Sequence, residues 1–129
     1  MRVRSWQGKG EFLSYDYILS KGDASMDLEE LLESAMSAAI GSTETLKSAI
    51  STVFPSVQWT QSVFTAADGS THLSWFGRQG TPEFQFMPEP DGQVRLLTMS
   101  HCERSEVELL ARTLELVAVD QQTMEVFGG

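Results

Sequence analysis

The stretch "VQWTQSVFTAADGSTHLSWFG", residues 57–77, decides the architecture. Two runs rich in β-branched and aromatic residues flank Asp68-Gly69, a dipeptide that readily takes the positive backbone angles of a tight hairpin turn. Antiparallel pairing of the two runs follows from that short connection. Towards the C-terminus, "EFQFM" (83–87) is a third strand fenced by Pro82 and Pro88, and "PEPDGQ" is a turn. "VRLLTMS" (94–100) is a fourth, with Val94, Leu96 and Thr98 alternating against Arg95, Leu97 and Met99. Short connections throughout predict a β-meander.

Upstream of this sheet the period changes. In "SMDLEELLESAMSAAIG" (25–41), Leu28, Leu31, Leu32, Ala35, Met36, Ala39 and Ile40 form one helical stripe. Asp27 and Glu30 have capping-box spacing, and Gly41 is a natural helix stop. "STETLKSAISTVFP" (42–55) is a second helix with Leu46, Ala49, Ile50, Val53 and Phe54 on its stripe and Pro55 at its end. The pair reads as an αα-hairpin whose apolar faces need a common surface to cover. The first residues, "VRSWQGKGEFLSYDYILS" (3–20), read as two strands around Gly8-Lys9-Gly10. At the other end, "SEVELLARTLEL" (105–116) is a third helix with a Ser105–Glu108 capping box. "VAVD" is a short strand, and "TMEVF" pairs with it after a turn at Asp120-Gln121-Gln122. The expected order is β-β-α-α-β-β-β-β-α-β. This is an α+β fold in one domain: a single antiparallel sheet with the αα-hairpin and the third helix packed on one face.

The chain has 129 residues, with 18 acids against 9 bases and a formal charge of −9. That charge repels a phosphate backbone and an anionic membrane, so neither nucleic acid nor membrane is an expected partner. It would steer a basic protein inward. The acidity begins at the helical hairpin, where residues 23–54 hold six acids and one base. A single cysteine forms no internal disulfide and no multi-thiolate zinc site. No apolar run is long enough for a membrane span, and no signal-peptide pattern is visible, so a cytoplasmic protein is expected.

Cys102 and His101 are adjacent at the joint before the third helix. A helix start lowers a thiol pKa, but Glu103, Glu106 and Glu108 oppose that, and neighbouring residues of an extended chain face opposite ways. The pair becomes a site only if His72 reaches it from another strand; otherwise Cys102 is a packing residue. No metal-ligand spacing, Walker motif, GxGxxG or GxSxG occurs, so neither cofactor nor metal is expected. The binding candidates are the helix-one acids Asp27, Glu29, Glu30 and Glu33, together with Trp75, Phe76 and Arg78. Of the aromatics on expected strands (Trp6, Tyr15, Tyr17, Trp59, Trp75, Phe76, Phe84 and Phe86), those on a face without helices would form a binding surface. Phe84 and Phe86 share a face, whereas Trp75 and Phe76 cannot.

"VFPSVQWTQ" (53–61) and "LARTLELVAVDQQTMEVF" (110–127) resemble the latter part of small acidic α+β proteins of bacteria, some of them of toxin-immunity type. Such endings often carry glycine after the threonine, where this chain has Met124. The resemblance implies a binding protein and brings no catalytic residue with it. The leading expectation is a non-enzymatic domain that binds another protein, a basic one in an immunity-like role. A small-molecule binder or enzyme with a pocket between sheet and helices is the second. A homodimer covering its own open sheet face is the third.

Overall fold

The computed structural model describes residues 16–128, and the expectation of strands and a turn over residues 3–15 lies outside them. Tyr17–Ser20 forms β1, and α1 follows at Leu28–Ser37. α1 starts where its spacing predicts. Asp27 Oδ1 accepts the Glu30 N–H at 2.9 Å, and Glu30 Oε1 accepts the Asp27 N–H at 3.0 Å. This satisfies two donors that a helix start leaves open. α1 ends before Gly41, because Gly41–Ser42 is drawn out as a two-residue strand, β2. Ser42 then caps α2, Thr43–Val53, through its Oγ and the Thr45 N–H at 3.2 Å. The remaining elements are β3 (Gln58–Thr65), β4 (Thr71–Arg78), β5 (Glu83–Phe86), β6 (Gln93–Val94), β7 (Leu97–Ser100), α3 (Arg104–Leu114), β8 (Val117–Asp120) and β9 (Val126–Gly128).

The helix-one stripe residues Ala39 and Ile40 lie past the end of α1, and two further boundaries differ from the sequence reading. "VRLLTMS" is split, because Gln93–Val94 pairs with Gly41–Ser42 while Leu97–Ser100 joins the main sheet. The Ile40 N–H donates to the Val94 carbonyl at 2.8 Å, which ties this piece to the α1–α2 connection. The α3 box uses Glu103 and Glu106 in place of Ser105 and Glu108: Glu106 Oε1 accepts the Glu103 N–H at 2.8 Å. Ser105 is an exposed residue of the first turn.

The main sheet has the order β3-β4-β5-β7-β1-β8-β9, every neighbour antiparallel. The first four strands are the expected meander. β1 is inserted between β7 and β8, so α3 crosses over the sheet to link two parallel strands with β1 between them.

The α+β class with one antiparallel sheet is as expected, but the helices are divided. Tyr17, Leu19, Phe84, Phe86, Leu97, Met99, Ala118 and Phe127 share one face and pack with Leu46 and Ile50 of α2 and Val107, Leu110 and Ala111 of α3. Val117 and Val119 alternate to the other face, where they pack with Leu31 of α1. So α1 and α2 form no hairpin on one face; they cover opposite faces. The cause is β8, whose four residues are all buried. A strand buried on both faces needs a cover on each, and α1 is the second cover. Gly22 permits its approach, since a Cβ there would lie 2.5 Å from Leu31 Cδ2.

Candidate functional site

β7 ends at Ser100, and the chain turns into α3 through His101, Cys102 and Glu103. His101 has φ 50°, the left-handed region that breaks the strand and points the ring outward to solvent. Its Nε2 lies 3.9 Å from Glu83 Oε1. Cys102 packs against the main core. Burial first, then the negative charges of Glu106 and Asp16, pushes its thiol pKa up to about 12. That is the opposite of nucleophile activation.

His72 does not reach this joint. The β4–β5–β7 register places Arg78, Glu83 and Ser100 side by side. His72 is six residues up β4 from Arg78, about 20 Å along a strand. There its ring stacks on Phe64 at a centroid distance of 5.3 Å. The fold therefore keeps the three candidates Cys102, His101 and His72 from converging. Among the described residues, no group of three or more His, Cys, Asp or Glu side chains is placed to hold a metal ion.

His72 belongs instead to a chain of polar groups at the hairpin tip. Ser70 Oγ lies 2.6 Å from Asp68 Oδ1 and 2.8 Å from His72 Nε2. A hydroxyl has one proton, and the carboxylate can only accept, so Ser70 donates to Asp68 and His72 Nε2–H donates to Ser70. The imidazole is then no base for the serine, and the order differs from that of a nucleophile–base–orienter relay. The Ser70 hydroxyl and N–H hold the Asp68 carboxyl below the usual carboxylate range, and the group works as a turn lock.

Among the described residues, the face opposite α2 and α3 is covered by α1 only over β8 and its neighbours. Over β3, β4, β5 and β7 it presents Thr60, Ser62, Phe64, Phe76, Gln85 and Thr98 by strand alternation. The Arg78 guanidinium lies 5.5 Å from the Phe76 ring and pairs with Glu83 at 3.0 Å. Gln58, Thr60, Phe76, Arg78, Gln79 and Gly80 line a shallow depression of about 510 Å³ on this face. The space between the sheet and α2 is filled by Leu46, Ile50, Phe54 and Phe84. Trp75 points the other way, beside the main core, with Lys47 Nζ 3.8 Å above its ring. Asp27, Glu29, Glu30 and Glu33 are all exposed on α1. The Asp27 and Glu30 carboxylates are engaged in the cap, which leaves Glu29 and Glu33 as the charges free of it.

Three residues outside the sequence-derived set stand out. β5 pairs only with Trp75–Arg78, so the far half of the β3–β4 hairpin projects past it as a two-stranded ribbon. On this ribbon Val63 is 60% exposed, Phe64 43% and Leu73 41%. The signal was present in the mismatch between two runs of eight residues and a third of four. Compared with protein-family models, with curated proteins and with solved structures, the chain matches none. No helix among the described residues is long and apolar enough to cross a membrane.

Proposed function

We propose that this chain is a non-catalytic, cytoplasmic protein-binding domain whose open sheet face receives a basic protein, in an immunity-like role. The observation that carries the reading is the face of β3, β4 and β5, which no helix among the described residues covers. There Phe64 and Phe76 stand among Thr, Ser and Gln side chains, with the Arg78–Glu83 pair beside Phe76 and the acidic helix α1 bounding one side. Aromatic anchors in a polar, hydrogen-bonding surround are the usual composition of a recognition patch. The charge of −9 supplies the steering, which raises the association rate more than it slows release. The separation of Cys102, His101 and His72 supports binding over chemistry.

Immobilised chain exposed to extract of its host is expected to retain a basic protein that salt elutes. Phe64→Ser/Phe76→Ser should abolish retention without lowering the melting temperature by more than a degree or two, since neither ring belongs to the core. Glu29→Lys/Glu33→Lys should slow association roughly tenfold at low salt and leave dissociation unchanged. Equal retention by the wild type and the double serine variant would reject the reading.

A further inference from the structure

The two edges of the main sheet are built differently. β9 is a three-residue edge strand. The Arg104 guanidinium lies 3.9 Å over its Phe127 ring and pairs with Glu125 at 2.8 Å, so a charged group flanks that edge. The opposite edge strand, β3, runs for eight residues, "QWTQSVFT", without a charge or a proline. Among the described residues its one neighbour is β4. Natural sheets protect long edges with lysine, proline, bulges or a covering element, and β3 carries neither lysine nor proline.

The hydrogen-bonding groups of that edge can be assigned. The Ala66 N–H donates to the Ser70 carbonyl at 2.8 Å, and the register pairs Thr65 with Thr71. Bonding alternates along an antiparallel ladder. The even-numbered residues of β3 therefore turn their amides to β4, and Trp59, Gln61 and Val63 turn theirs outward.

We propose that β3 pairs antiparallel with β3 of a second copy of this chain, joining the two sheets into one. Charge selects the occupant. Between residues 56 and 82 the only charged side chains are Asp68 and Arg78, in a chain of −9. Two such acidic molecules approach with least repulsion along this neutral strip. The strand is also self-complementary. With the two-fold axis at Gln61, Gln61 faces its own copy, Thr60 faces Ser62, and Trp59 faces Val63. The last pair sets the exposed valine beside an indole on the helix-covered side. Phe64 and Phe76 stay on the other side, so the dimer presents two open faces next to each other. The proposal stands independently of the partner-binding reading.

Light scattering of the full chain across a concentration series tests it, with twice the 14.3 kDa chain mass expected at high concentration. Gln61→Lys sets like charges opposite each other and should return the monomer mass with an unchanged circular dichroism spectrum. Gln61→Pro removes only an outward N–H and should do the same; if it fails to fold, the lysine variant decides. Gln61→Cys should cross-link into a covalent dimer under mild oxidant. Phe76→Ser should leave the dimer mass intact, which separates failure of this proposal from failure of the partner-binding one. A wild type that stays monomeric at every concentration overturns the proposal. So does a dimer that survives Gln61→Lys, or a monomer whose Trp59, Gln61 and Val63 amides exchange slowly because another segment of the same chain covers them.

Discussion

At the scale of single residues, backbone angle and burial assign roles that residue type alone leaves open. His101 at φ 50° and Met124 at φ 64° both occupy left-handed positions that favour glycine. Cys102 is the clearest case. Its pKa of about 12, against an ordinary 9.0, leaves roughly a thousandfold less thiolate at pH 7. Folded protein is therefore expected to react with a thiol probe far more slowly than free cysteine, and the urea-unfolded chain at the free rate. The native state also holds the thiol proton where the unfolded state has lost it. Stability from this group is complete below pH 9 and is lost as pH rises through about 12. Cys102→Ala should remove that alkaline loss in denaturation curves taken between pH 8 and 11.

At the scale of elements, the β3–β4 pair is held by one aromatic packed on a missing side chain. Trp59 lies opposite Gly77, and a Cβ at Gly77 would fall 2.5 to 2.8 Å from three atoms of the indole. The ring has little freedom to move. It donates from Nε1 to Ser51 Oγ at 3.3 Å and packs on Phe84 and Phe86. Gly77→Ala should cost about 1–3 kcal/mol in urea denaturation and red-shift tryptophan emission. In a Trp59→Leu background the same change should cost much less, because the cycle removes the clash. The Asp27–Glu30 box of α1 was legible at this scale, since cap chemistry depends on residues three apart in sequence; the α3 box was placed two residues late, because Ser105–Glu108 and Glu103–Glu106 both have that spacing. The Gly77–Trp59 contact was not, since its partners are 18 positions apart and meet only through the register.

At the scale of the molecule, two cores of unequal size lie on the two faces of one sheet. The main one gathers α2, α3 and the sheet interior; the second is Leu31, Val117 and Val119, with Met26, Leu28 and Val126 at its margin. Leu32 and Met36, on the stripe that predicts α1, remain exposed. α1 is thus attached by few side chains and should open independently. Leu31→Ala should speed amide exchange in α1 by about 2–5 kcal/mol of local stability while leaving α2 and α3 unchanged. Equal acceleration in all three helices would contradict the division. The sequence by itself determined the class, the meander, the starts of α1 and α2 and the acidity, because each rests on periodicity, turn chemistry or composition over a few neighbouring residues. Only the tertiary structure decided three things: β1 lies between β7 and β8, α1 crosses to the second face, and His72 stays far from Cys102. Each depends on which distant segments pair, and pairing is set by the burial of strands such as β8 on both sides at once.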